Sequence, residues 1–250
     1  MRPMRRVLLV VGGLYHDLDF VRLELLAHLA RREHLRVDLR HDYSDLDALE
    51  RCDALITYTA ALLPDAAQTA ALADWVGRGG RWFALHGTNS AIQIRPDGKV
   101  LTPPMEPLLF DLLGSQFLAH PVPGRYRIRP VEAHPLTEGI EAFFLEDEHY
   151  LQRHAEGNLV LLASKFQGET ALFQTRDWPK GLHQSFYLRP RGRGGVLYLT
   201  PGHARGHYDM QPLADTYPFV ERGAWILPVF HRLIRRGIAW LDRDLPETLP

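Results

Sequence analysis

The feature that most restricts this chain's fold is a series of short apolar runs, ending in glycine or histidine, that alternate with helical patterns. V-L-L-V-V (Val7–Val11) closes at Gly12-Gly13 and has the length, branching and glycine stop of a buried strand. In Phe20–Arg32 the apolar residues return every third or fourth position, which predicts an amphipathic helix. L-R-V-D-L (Leu35–Leu39) and A-L-I-T-Y (Ala54–Tyr58) are the next strands. Pro64 stands near the start of a helix running to about Val76, ended by Gly77, Gly79 and Gly80. W-F-A-L-H (Trp82–His86) is the fourth strand. Strand–helix alternation with short connections implies a parallel sheet with right-handed crossovers. Ligands of such sheets bind outside the carboxyl ends of the strands. His86 and Tyr15-His16-Asp17 belong at that edge.

The second half is less regular. Pro104–Gly114 reads as a helix stopped by glycine, and Pro121–Pro135 as strands and turns. Phe143–Tyr150 and Leu159–Ser164 are strand candidates. G-V-L-Y-L-T (Gly195–Thr200) is a buried strand that runs into P-G-H-A-R-G-H (Pro201–His207). A last helix is predicted over about Leu227–Leu241. No repeat, low-complexity tract or linker interrupts the chain. One domain over residues 1–250 is expected, with a regular half over about 5–120 and an irregular half, closed by the helix, over about 121–245.

Net charge is −1 and no basic stripe is present, which argues against a nucleic-acid partner. R-P-M-R-R (Arg2–Arg6) reads as a solvated terminus. Val7–Val11 is too short to span a membrane and lacks the pattern of a secretory signal, so a cytoplasmic protein without a membrane partner is the default expectation. The single cysteine, Cys52, excludes an intrachain disulfide framework and a cysteine-rich metal site. It stands at the start of a strand, opposite the ligand edge, and reads as a small core residue.

Read together, F-A-L-H-G-T-N-S-A, A-H-P-L-T-E-G-I, E-D-E-H-Y, L-Y-L-T-P-G-H and R-R-G-I-A-W-L resemble the trehalose-utilisation (ThuA) family, in that order, from Gly12 to Leu241. The resemblance implies an α/β fold: a flavodoxin-like three-layer sandwich with a mainly parallel central sheet, like class I glutamine amidotransferases. In that superfamily the corner after the fourth strand commonly holds a catalytic cysteine; here it holds His86. Glutamine hydrolysis by that route needs a thiolate, which an imidazole cannot supply. The resemblance also implies a carbohydrate substrate, with no nucleotide cofactor expected.

An imidazole can bind a metal or move a proton. His16, His86 and His203 each fall at or just after a strand's carboxyl end, and they are the expected ligands of a divalent ion. Asp147 and Glu148 add carboxylates, and the resemblance turns that motif toward the same pocket. In a strand the two face opposite ways, with Glu148 favoured inside and His149 outside. A mixed imidazole–carboxylate set suits Zn²⁺, Mn²⁺ or Fe²⁺ better than Ca²⁺. Glu148 and His86 are the expected catalytic pair. Asn89, Arg205 and Asp209 are expected to bind sugar hydroxyls. Tyr150 is expected to stack on a pyranose, with Trp82, Trp178 and Tyr208 as further aromatic candidates.

His134 reads as a turn residue. His28, His34 and His41 read as surface residues, and His207 could line the entrance. The expected chemistry is isomerisation or elimination of a keto sugar or glycoside derivative, by proton abstraction beside a carbonyl. Two alternatives stay open: a non-catalytic sugar-binding or regulatory protein on the same fold, and a metal-dependent hydrolase. The aromatic Thr216–Phe230 stretch fits internal packing, a pocket cover or the contact of a homo-oligomer.

Overall fold

The computed structural model describes residues 2–207 and 219–245. The regular half follows the expected alternation: β1 (Arg5–Gly13), α1 (Leu18–Leu29), β2 (Leu35–Arg40), α2 (Leu46–Arg51), β3 (Ala54–Ala60), α3 (Ala66–Gly77) and β4 (Arg81–Leu85). Local chemistry sets the helix starts. Asp17 caps α1 by accepting from the Phe20 amide, and Asp65, after Pro64, forms a reciprocal capping box with Gln68 on α3.

After a two-strand hairpin, β5 (Gln93–Ile94) and β6 (Val100–Leu101), come α4 (Pro107–Leu113) and β7 (Ser115–Ala119). Pro107 opens α4, and Gly114 ends it in the left-handed conformation, φ 78°. The rest is β8 (Gly124–Pro130), β9 (Phe143–Asp147), β10 (Leu151–His154), β11 (Leu159–Glu169), β12 (Asp177–Arg191), β13 (Gly194–Leu199) and α5 (Pro228–Leu241).

Nine strands form one sheet in the order β2-β1-β3-β4-β13-β12-β11-β8-β9. The first five are mutually parallel, in the 2-1-3-4-5 order of flavodoxin-like folds, with β13 as the fifth. The other four continue as an antiparallel wing. Helices α1 and α5 cover one face through Val21, Leu25, Phe230, Leu233 and Trp240. Helices α2, α3 and α4 cover the other through Leu49, Leu72, Trp75 and Leu109. Strands β3, β4 and β13 are buried throughout, which explains why their sequences are continuously apolar rather than alternating.

Several features depart from the sequence reading. Strand β12, fifteen residues long, went unread because Pro179, Gly181 and Pro190 punctuate it like turns. The short helix α2 and the paired strands β7 and β10 were also missed. His28 is not a surface residue: it is buried between α1 and α5.

Candidate functional site

Three parallel strands deliver imidazoles to one edge. His16 follows β1, His86 follows β4, and His203 follows β13 through Thr200-Pro201-Gly202. Strand β9, at the far end of the wing, runs in the same direction as these, so its carboxyl end opens on the same side. The wing brings Glu148 into the imidazoles. One ligand atom each from His16, His86, Glu148 and His203 lies within 4.8 Å of all the others. Ring centroids are 4.7 Å apart for His16–His86 and 5.3 Å for His16–His203.

The backbone is strained where two of these residues sit. His16 and His86 have φ of 76° and 45°, a left-handed conformation that costs a non-glycine residue on the order of 1–3 kcal/mol. Against a total stability of roughly 5–15 kcal/mol, two such positions are a notable expense. Gly87 lets the His86 corner close, because a Cβ there would meet the Thr59 carbonyl at 2.5 Å. This strained strand-to-helix corner has the form that presents a nucleophile in other α/β enzymes.

Hydrogen bonds fix the imidazoles. His86 Nδ1 donates to the Thr200 carbonyl at 2.8 Å, which leaves Nε2 as the acceptor. Tyr150 places its hydroxyl 3.2 Å from that nitrogen, and Glu148 Oε2 is 3.4 Å away. His203 Nε2 contacts Glu221 Oε2 at 2.7 Å, turning Nδ1 toward Glu148 Oε1 at 3.2 Å without the alignment of a hydrogen bond. Arg205 joins Glu221 at 2.9 Å and approaches Glu148 at 4.0 Å. His120 Nε2 lies 3.5 Å from Glu148 Oε1.

His86 Nε2 and Glu148 Oε2 are two acceptors facing each other across 3.4 Å, a gap that a proton or a cation can bridge. The titration behaviour agrees. Burial pushes Glu148 up, but His120 and His203 outweigh it, and the carboxyl lies well below its usual range. Burial opposes charge on His203, yet Glu148, Glu221 and Asp147 raise it to about 10. His16 is lowered, by burial first and then by His86.

Asp147 ends β9 just before Glu148 and has a different task. Its carboxylate accepts from the backbone amides of Gly202, His203 and Ala224 at 3.2, 3.2 and 2.7 Å. It thereby anchors the His203 loop and the segment entering α5. Strand alternation had allowed only one of the pair inward. The strand stops at Asp147, so the chain turns and both are buried.

The cluster fits a divalent ion by the chemistry of its donors: three imidazoles, two of them (His86 and His203) with the second nitrogen held by a carbonyl or a carboxylate, plus an ionised carboxylate. The structure places the remaining residues as follows. Asn89 is fully buried, with its side chain donating to Ser115 Oγ at 2.6 Å, so it is part of the interior rather than a hydroxyl contact. Tyr150 lies between His86 and Phe117, with centroids at 4.3 and 4.4 Å, and has no open face for a pyranose. Trp82 is core, bonded to Thr57. His149 stacks on Tyr126 and contacts Ser164, away from the cluster, and His134 caps a turn at Leu136. Cys52 is half-buried, and burial pushes its thiol up to about 12. Tyr208 and Asp209 lie outside the described residues, as does part of Thr216–Phe230. Within that stretch, Trp225 and Phe230 are buried and stacked together.

His120 and Glu221 were not anticipated. His120 directly follows β7, a short strand that its sequence does not mark, and Glu221 stands in an irregular segment before α5.

Across residues 6–217 the sequence matches the ThuA family model, described as trehalose utilisation. The chain belongs to the ThuA family. Similar solved structures agree on the fold. A ThuA-like protein from Bacteroides uniformis is 16% identical with a TM-score of 0.66, covering 96% of this chain and 91% of that one. A ThuA-like protein from Parabacteroides merdae is 15% identical with a TM-score of 0.62, covering 100% and 94%. The β-galactosidase of Rahnella sp. R3 is 12% identical with a TM-score of 0.58; the match covers 98% of this chain and 32% of that enzyme. No protein of curated function matches in sequence. No helix among the described residues of this ThuA protein is long and apolar enough to cross a membrane.

Proposed function

We propose that this ThuA protein is a metal-assisted enzyme that abstracts a proton beside the carbonyl of a keto sugar or glycoside derivative, giving isomerisation or elimination. One observation carries the reading. His16, His86, Glu148 and His203 arrive from four separate segments and converge within ligand distance, two of them at strained backbone. The family's trehalose-utilisation description supports a carbohydrate substrate.

His16, His86 and His203 would hold a divalent ion, which would supply Lewis acidity toward a bound carbonyl and so favour loss of the neighbouring C–H proton. Glu148 is ionised and takes the proton from the carbon beside the carbonyl. Returning it to the former carbonyl carbon, while the proton of the neighbouring hydroxyl passes to the former carbonyl oxygen, completes an isomerisation; departure of a group from the next carbon, with the electron pair of the broken C–H bond forming the new double bond, completes an elimination. Tyr150 stacks on the His86 ring and holds its plane, while Arg205 offers a positive group beside Glu148. The thiol route of amidotransferases has no residue here, since Cys52 lies at the opposite end of the strands.

The test is incubation with a 3-keto glycoside in D₂O with added Zn²⁺ or Mn²⁺. Deuterium enters the α-carbon with the native chain and not with Glu148→Gln. Absence of incorporation under every metal condition removes the mechanism. Stabilisation by sugar without metal or turnover would instead indicate a binding protein.

A further inference from the structure

A second group of ligating side chains lies outside the site, between the two helices that cover one sheet face. Glu24 and His28 are four residues apart on α1 and so share one side of it. His231 reaches them from α5. We propose that Glu24, His28 and His231 form a separate binding site for a zinc-type divalent cation, clamping α1 to α5.

One ligand atom from each of the three lies within 4.8 Å of the other two. His28 Nε2 and His231 Nδ1 are 2.9 Å apart. A tetrahedral ion with bonds of about 2 Å separates its donors by about 3.3 Å, so the imidazoles need little movement. Glu24, on a longer and partly exposed side chain, closes the set. His231 Nε2 donates to the Trp225 carbonyl at 2.6 Å, the outer hydrogen bond that sets the tautomer of a ligating histidine and leaves Nδ1 free to bind. His28 is 8% exposed, and its Nδ1 has no hydrogen-bond partner among the described residues. A buried imidazole joined only to another imidazole is a poor structural contact and a good ligand.

The site has a consequence for the fold. Helix α1 starts two residues after His16. Trp225, held through its carbonyl by His231, donates its indole N–H to the Gly202 carbonyl beside His203. A cation here therefore braces both chain segments behind the first cluster, although the proposal does not rest on that cluster's function.

Zinc stoichiometry by equilibrium dialysis and elemental analysis of the full chain tests it, with thermal midpoints ± Zn²⁺ as a second readout. The native chain is expected to hold two equivalents. Glu24→Gln and His28→Gln each lose one, and lose part of the zinc-induced rise in midpoint. His203→Gln combined with Glu24→Gln holds none. Should His28→Gln not fold, Glu24→Gln, at a partly exposed position, decides. Stoichiometry and midpoint unchanged in the α1 variants overturn this site, whatever His203→Gln does. A single equivalent lost in His28→Gln but kept in His203→Gln supports this site and removes the first cluster as a zinc site.

Discussion

Glu221 Oε2 sits 2.7 Å from His203 Nε2, so the His203 ring presents its other nitrogen to Glu148. A carboxylate behind a ligating imidazole fixes its orientation and raises its basicity. Glu221→Gln keeps the size and the acceptor oxygen but removes the charge. The expected result is a loss of about 10–100-fold in metal affinity at the His16–His86–Glu148–His203 cluster, with the fold intact. Competitive titration against a chromophoric chelator, with circular dichroism as the fold control, measures it. Unchanged affinity would show that His203 does not ligate through Nδ1.

The Asp147 carboxylate accepts from three backbone amides of two segments, and a neutral amide has one acceptor oxygen to offer. Asp147→Asn leaves at least one buried N–H unpaired, at a cost of about 1–3 kcal/mol. Urea unfolding is expected to show a lower midpoint with an unchanged slope. Elimination of metal binding at the first cluster should accompany it if the His203 loop drifts.

Much of this arrangement is visible in the sequence because strand ends are visible. Val7–Val11, Ala54–Tyr58, Trp82–His86 and Gly195–Thr200 are apolar runs with sharp stops. A sheet of parallel strands places those stops on one edge, so His16, His86 and His203 could be grouped without coordinates. What a strand end does not reveal is the direction of the next side chain. Asn89 is three residues past His86, yet the short helical turn sends it to Ser115 in the interior. Tyr150 follows Glu148, yet packs between His86 and Phe117. His120 and Glu221 lie in segments whose course depends on tertiary packing, and no local pattern marks them. The wing was illegible for the same reason: β12 keeps its pairing despite two prolines and a glycine, through register shifts in its partner β11.

Helix α5 lies close on β4 at one point. A Cβ on Gly237 would fall 2.2–2.6 Å from the Phe83 ring, which is fully buried. Alanine favours helix by about 1 kcal/mol over glycine. Overpacking a dense core costs about 1–3 kcal/mol, so the clash wins. Gly237→Ala should therefore lower the thermal midpoint, and Phe83→Leu in the same chain should recover part of the loss. Failure of the pair to couple would place the helix farther from the sheet.

His154 on β10, half-buried, and His183 on β12, buried, are neighbours with ring centroids 6.5 Å apart. Burial, then His183, lowers His154 to about 4, and burial lowers His183 as well. Unfolded, both return to the ordinary value near 6.5. Above 6.5 neither state is charged, and this pair does not bias folding. Between 6.5 and about 4 the unfolded chain binds protons that the folded chain refuses, so stability falls as pH falls. Below about 4 the folded His154 also takes its proton and its contribution stops changing. Urea midpoints are expected to drop between pH 6.5 and pH 5, before carboxylates titrate. His154→Gln, which cannot charge, should make that drop shallower. A midpoint level across the range would mean that these imidazoles are solvated.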